Sequence, residues 1–450
     1  LDSKQSGATR ILVLTEGIFR NRIQADPELS GVSAVLFDEV HERSLDSDFG
    51  LALALDAQGA LRPDLKLVAM SATLDGERFA ALMAADVITS EGRSHPLAIR
   101  HIGRRAEARI EDEMAVAIRR AMAEEEGDIL AFLPGVGEIE RTAEKLAGIA
   151  AEIHRLHGSL DPAEQRAAIR KGAGRKVILA TSIAETSLTI DGVRIVVDSG
   201  LARRARYDRS AGVTRLVTER VSQAAATQRA GRAARQGAGV AYRLWEEGAT
   251  AGLLRFDPPE ILEADLSPLL LDCALWGVAD PGTLRWLDPP PPAALAEAGK
   301  RLSTLGALDE GGRPTVHGRD IARLPLPPRL AHMLVNAAEQ GEGVLAAEVA
   351  VLLSERGLGG NDPDLSARLD RWRRDRGRRA DAARGLARRW AGMVRSSGPA
   401  TGNPARCVAL AFPDRIARRR DASGEYWISS GGRGFRLDPA SALARSEWLA

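Results

Sequence analysis

Short apolar runs of four to six residues recur along the first part of the chain, each closed by small or polar side chains. Ile11–Leu14 leads into Thr15-Glu16-Gly17, Val32–Phe37 into Asp38-Glu39, and Leu65–Met70 into Ser71-Ala72-Thr73. The pattern restarts after Pro96: Ile129–Leu133 leads into Pro134-Gly135, Val177–Ala180 into Thr181-Ser182, and Val193–Val197 into Asp198. Runs of this length, separated by helical stretches, predict strands of buried parallel sheets. Open α/β sheets bind ligands outside the carboxyl ends of their strands, which is where all these polar residues fall.

The α/β pattern fades after Trp245. Phe256-Asp257-Pro258-Pro259 reads as a linker and Asp288 followed by Pro289–Pro292 as a rigid break. Leu266–Val278 and Ala293–Leu305 predict short helices, and Gly306-Ala307-Leu308 leads to a turn at Gly311-Gly312, the outline of a compact helical or winged-helix module. Residues 326–396 are helical in pattern. A Gly, Ser and Pro-rich stretch, 396–404, precedes a last piece with a strand-like Glu425–Ile428 and a turn at Gly431-Gly432.

Composition narrows the class. The 450 residues suit roughly three domains of ordinary size. An apolar fraction of 44% is that of a soluble protein, and neither a membrane-length apolar run nor a secretory signal is visible. Cys273 and Cys407 stand far apart, which argues against a disulfide framework or a zinc site and fits a reducing cytoplasm. The net charge of +1 hides an asymmetry: residues 361–420 hold 16 Arg and 6 Asp with no Lys or Glu, a local +10. Only 6 of the 62 basic residues are Lys. Arginine pairs bidentately with phosphate or carboxylate. Abundant Ala and Gly also fit a genomic base-composition bias, and the C-terminal arginines divide between solvated helix faces and a phosphate-binding surface.

The candidate chemistry lies at the strand ends. Hydrolysis of a phosphoanhydride needs a metal to neutralise oxygens and a base to orient water. Asp38 suits Mg²⁺, directly or through water, Glu39 suits the base, and His41 can link nucleotide to a second domain. Arg229, Arg232 and Arg235 recur every three residues and predict one helical face of cations, with Gly231 leaving room for close approach. The hydroxyls of Thr181–Gly192 follow a strand and suit sugar–phosphate contacts. His154 and His157 are three apart, but without a Cys or a third His nearby they read as structural or RNA-edge residues. Aromatics are only 4%, so base stacking is not the main grip.

On these residues the chain resembles the DEAH-box helicases of superfamily 2, most closely their bacterial HrpB-type branch. Asp38-Glu39-Val40-His41-Glu42-Arg43-Ser44 resembles motif II, Ser71-Ala72-Thr73 motif III, and Thr15-Glu16-Gly17 motif Ib. Phe132–Gly135 with Glu138-Ile139 is similar to motif IV, Thr181–Gly192 to motif V, and Gln228–Arg235 to motif VI. Residues 198–229 resemble the family's β-hairpin region. Ala411–Ala417 followed by Gly431-Gly432-Arg433-Gly434 points to the HrpB-type branch. Val40 stands where Ala is usual, and Ala234 where Gly is frequent.

The resemblance implies an α/β fold of two RecA-like parallel-sheet domains, the first incomplete (1–95) and the second whole (96–250). A winged-helix domain (251–325), a helical bundle (326–396) and the start of a C-terminal domain (397–450) follow. It implies ATP and Mg²⁺ as cofactors, with catalytic and nucleotide contacts from Asp38, Glu39, His41, Gln228, Arg232 and Arg235, and a further nucleotide contact from Asp191. Ser71 and Thr73 would couple ATP state to domain movement. Thr15, Gly135 and Thr181 would touch the backbone of single-stranded or partly duplex RNA. No Gly-x-x-x-x-Gly-Lys-Ser/Thr phosphate loop is present and the chain starts at Leu1. The expectation is therefore a fragment of a cytoplasmic 3′→5′ RNA helicase that hydrolyses ATP poorly on its own. A non-hydrolysing RNA-binding scaffold and a DNA translocase are the alternatives.

Overall fold

The computed structural model describes residues 6–72, 76–90, 95–170, 172, 174–185, 190–209, 212–355 and 357–450. They form two compact units, one of 1–264 with 284–289, the other of 265–283 with 290–450.

The first unit holds two parallel sheets. β1 (Ala34–Phe37) pairs with β2 (Lys66–Ala69) in a two-stranded ladder, joined by the helix Leu45–Ala60. Ser44 caps that helix by accepting from Ser47 N–H at 3.2 Å, and Phe49, Leu51, Leu53 and Leu55 bury it along almost its whole length. Phe37 packs edge-on against Phe19 of the helix Glu16–Ala25, with ring centroids 5.4 Å apart. Leu36 on the same strand is 58% exposed, so this pair is buried on one face only.

The second sheet is built from β3 (Leu97–His101), β4 (Asp128–Phe132), β5 (Glu152–Leu156), β6 (Lys176–Ala180) and β7 (Val193–Asp198). After a hairpin of β8 (Leu201–Asp208) and β9 (Val213–Arg220), β10 (Gly239–Arg243) completes it. All six strands are parallel in the order β3-β10-β7-β4-β6-β5. Ile129, Leu179 and Ile195 fill one face, and Leu130, Ile178 and Val196 fill the other. A sheet covered on both faces needs continuous apolar strands, which is why β4, β6 and β7 are legible as runs. Gly200 turns β7 into β8 at φ +72°, where a Cβ would lie 2.8 Å from the Trp245 ring.

One expected strand does not form. Ile11–Leu14 is irregular, with Ile11 84% exposed. No strand pairs with it among the described residues, and an apolar run without a ladder partner has no reason to become a strand.

The second unit is helical and ends in a small sheet. Helices Ser267–Trp276, Pro292–Thr304, Pro328–Glu339 and Pro404–Ala411 each carry proline in the first turn, where its missing N–H costs nothing. Gly343–Ser354 is apolar nearly all round and buried, packed by Leu365–Arg374 and Arg378–Met393. Trp372 is wholly buried and donates its indole N–H to Ala380 O at 3.3 Å. β11 (Ala417–Arg419), β12 (Tyr426–Ser429), β13 (Gly434–Arg436) and β14 (Trp448–Leu449) form an antiparallel sheet in the order β13-β12-β11-β14 around buried Trp427. Among the described residues no helix is long and apolar enough to cross a membrane.

Candidate active site

β1 ends in a strained turn. Glu39 and Arg43 adopt left-handed conformations, φ +51° and +53°, on either side of the one-turn helix Val40–Glu42. Each such residue costs about 1–2 kcal/mol and persists only where its surroundings over-determine it. Here Val40 is buried and donates its N–H to Met70 O at 3.1 Å, tying the turn to the end of β2. Glu39 N–H donates to Asp38 Oδ1 at 2.9 Å, and both carboxylates stay open to solvent at the carboxyl end of the strand.

His41 carries the turn across to the second sheet. Its Nε2 lies 2.6 Å from Gln228 Nε2, between residues 187 positions apart in sequence. With the amide donating to Nε2, the ring proton sits on Nδ1, which faces Glu39 Oε2 at 3.5 Å. The exposed Ala72 N–H, 3.4 Å from that same Nδ1, is then left to solvent. His41 thus links the carboxylates after β1 with the arginine-rich octapeptide.

The octapeptide corrects the expected single face. The helix Gln223–Gly231, capped by Ser222 Oγ on Ala225 N–H at 3.0 Å, tightens into a 3₁₀ turn at Arg232–Ala234, and the three arginines do not share one exposed face: Arg229 and Arg232 are buried and Arg235 is exposed. Arg229 turns inward and is 1% exposed. Its guanidinium meets Asp198 at 2.7 Å and Glu185 at 2.5 Å, donates to Leu201 O at 3.1 Å, and lies 4.9 Å from the centre of the Phe132 ring. Burial opposes its charge, but the fields of Asp198 and Glu185 overcome this and raise its pKa. Breaking such a caged pair costs about 3–5 kcal/mol, so Arg229 holds the fold together rather than facing a ligand.

Arg232 is different. Its Nε donates to the Glu185 carbonyl at 2.8 Å, while burial and then the charge of Arg235 push its pKa down to about 10, partly offset by Glu39 and Glu185. A buried cation repelled by a second one, within the field of Glu39, is an environment that gains from a bound anion. Arg235 itself is exposed. Gly231 leaves open space: a Cβ there would meet nothing within 4 Å among the described residues.

The remaining expected residues are spread along the strand ends. Asp191 accepts from Gln236 Nε2 at 2.6 Å, while Gln236 Oε1 receives Gly192 N–H at 3.1 Å. Thr181 opens the one-turn helix Ser182–Ala184, its N–H on Leu156 O at 3.1 Å. Gly135 precedes the helix Val136–Lys145 and is buried, because a Cβ would lie 2.2 Å from the Arg203 guanidinium. Thr15 precedes the helix Glu16–Ala25 and is exposed, as is Ser71 after β2. Thr73 lies outside the described residues, as do 186–189 of the hydroxyl-rich stretch. His154 and His157 collect no further ligand, and no group of three or more His, Cys, Asp or Glu among the described residues can hold a metal. His157 sits 2.9 Å from Ser159 Oγ, and burial lowers its pKa.

Sequence reasoning missed Glu185 and Asp198 as the cage of Arg229, Gln236 as the anchor of Asp191, and Arg203 as the cover of Gly135. The one available signal was chemical: a carboxylate at the end of β7 calls for a cation at the same sheet edge.

The six-stranded parallel sheet carries arginines and carboxylates at its strand ends, and residues 111–237 match the family described as helicase conserved C-terminal domain. The chain is 45% identical to the ATP-dependent RNA helicase HrpB of Escherichia coli, over 98% of this chain and 54% of that protein. It is 35% identical to the pre-mRNA-splicing factor ATP-dependent RNA helicase prp22 of Schizosaccharomyces pombe, over 83% of this chain and 33% of that one. The crystal structure of the Escherichia coli DEAH/RHA helicase HrpB matches with a TM-score of 0.88 and 43% identity, covering 99% of this chain and 57% of that chain. The chain belongs to the DEAH-box helicases, and among them to the HrpB type. It spans about half the length of HrpB and a third of prp22.

Proposed function

We propose that the intact protein is a cytoplasmic ATP-dependent RNA helicase whose hydrolytic site is assembled from the turn 38–43 and the octapeptide 228–235. The observation that carries this reading is the 2.6 Å meeting of His41 and Gln228, supported by Arg232 lying in the field of Glu39. The residues present fit a nucleoside triphosphate with Mg²⁺: two open carboxylates at a strand end, and two mutually repelling guanidinium groups that favour an anion. Bound Mg²⁺ supplies neutralisation of phosphate oxygens. Asp38 would hold the metal, directly or through water. Glu39 orients the attacking water and accepts its proton. Arg232 and Arg235 offset the charge of the terminal phosphate, with Gln228 and Asp191 holding the nucleotide. His41 relays nucleotide state between the loops, together with Ser71 and Thr73.

Single-stranded or partly duplex RNA is the proposed substrate, moved 3′→5′ and unwound, with backbone contacts at Thr15, Gly135 and Thr181. In this reading residues 1–95 and 96–250 are RecA-like, 251–325 a winged helix, 326–396 a helical bundle and 397–450 HrpB-type C-terminal sequence. An antiparallel bridge of Leu308 with Pro314, after the helix Pro292–Thr304, supports the winged helix. The 450 residues hold no phosphate loop, so on their own they are expected to turn over ATP poorly. The test is Glu39→Gln in the natural full-length polypeptide. RNA-stimulated ATP hydrolysis should disappear while RNA affinity stays within twofold, and an undiminished turnover rate removes Glu39 from the mechanism.

A further inference from the structure

Residues 284–289 fold into the first unit and reach the loops that carry the proposed site. Trp286 stacks on Phe49 with ring centroids 5.8 Å apart and planes 17° from parallel, and Arg285 Nη2 donates to Leu55 O at 2.7 Å. These contacts seat the segment on the helix Leu45–Ala60. They leave Asp288 between two arginines. Asp288 Oδ1 accepts from Arg78 Nη2 at 3.0 Å, and Oδ2 lies 2.7 Å from Arg43 Nη1 as a charge contact off the hydrogen-bond line.

The two arginines belong to different elements. Arg43 ends the turn after β1, is 7% exposed and left-handed, and its remaining nitrogens grip Asp48 at 2.8–3.2 Å. Arg78 lies on the helix Gly76–Met83, just beyond the segment that leaves β2 through Ser71. Asp48 already pairs with the Arg43 fork, so Arg43 keeps a carboxylate partner when Asp288 is replaced. Beside the Val40 N–H bond to Met70 O and the bond from Arg78 Nη2 to Leu287 O at 3.0 Å, Asp288 adds a charge bridge between the turn with Asp38 and Glu39 and the helix that follows β2. The backbone conformation at Arg43 is one that needs such external definition.

We propose that Asp288 is a positioning residue of the nucleotide site: by bridging Arg43 and Arg78 it fixes the spacing of the loops after β1 and β2, and so the aim of Glu39. This rests on the assignment of Glu39 as the hydrolytic base. A carboxylate acting only through other residues alters the rate of the chemical step and not the grip on nucleotide.

The test pairs kinetics of the full-length polypeptide with amide hydrogen exchange on the 450-residue chain. Asp288→Asn should lower kcat for RNA-stimulated ATP hydrolysis about tenfold while KM for ATP stays within twofold, and Asp288→Glu should recover most of the rate. Arg78→Gln, at the more exposed end of the bridge, should cost about threefold. Exchange over residues 40–45 should rise about tenfold in Asp288→Asn, with β4 and β7 unchanged. An unaltered kcat, or a loss matched by faster exchange throughout the first unit, overturns the proposal. If Glu39→Gln leaves turnover intact, the site assignment itself fails. If Glu39→Gln abolishes turnover but Asp288→Asn does not slow it, only the positioning role fails.

Discussion

Arg229 and Arg232 stand three residues apart in one octapeptide and do opposite work. The first is enclosed by Asp198, Glu185 and the Phe132 ring, with its charge raised in stability by two carboxylates. The second is also buried, donates its Nε to the Glu185 carbonyl at 2.8 Å, and is pushed down by burial and by Arg235. A guanidinium whose charge is already compensated has nothing left to offer a phosphate. One pushed down by burial and by a neighbouring cation gains from an added anion. The break from α-helix to 3₁₀ turn at Arg232 separates the two environments.

The largest consequence concerns turnover. Arg232→Gln should reduce RNA-stimulated ATP hydrolysis by the full-length polypeptide about a thousandfold, the scale of a phosphate-facing arginine. Its unfolding free energy should change by less than about 1 kcal/mol. Arg229→Gln should do the reverse, lowering the stability of the first unit by about 3–5 kcal/mol in denaturant unfolding because Asp198 and Glu185 are left buried without their cation. Equal effects of the two substitutions on both quantities would erase the distinction. The smallest effect is at Gly231, which has φ −57° and open space around its absent Cβ. Gly231→Ala should stabilise by roughly 0.5–1 kcal/mol through the unfolded state and leave turnover unchanged.

The same contrast explains what was legible in the sequence. β4, β6 and β7 are continuous apolar runs because both faces of their sheet are covered, and they were readable at once. β3, β5 and β10 were not, since Leu97–His101, Glu152–Leu156 and Gly239–Arg243 mix polar side chains into the run, and β3 and β5 are edge strands. Ile11–Leu14 has the composition of a strand without a described partner, and composition does not supply one. The carboxylates, His41 and the octapeptide were evident as residue types at strand ends. Which arginine is caged was not, because Asp198 and Glu185 reach Arg229 through tertiary contacts 31 and 44 residues away. The bridge through Asp288 was hidden for the same reason, its carboxylate lying 210 residues from Arg78 and reading in sequence only as the start of a proline break.

The central claim is that the turn after β1 and the octapeptide form one hydrolytic site, and a double-mutant cycle between His41 and Gln228 on ATP turnover tests it most directly. If the two act as a unit, His41→Ala and Gln228→Ala each slow turnover and the double variant is no slower than the worse single one, within about twofold. If the two losses simply multiply, the residues act independently and the site is not the shared one described.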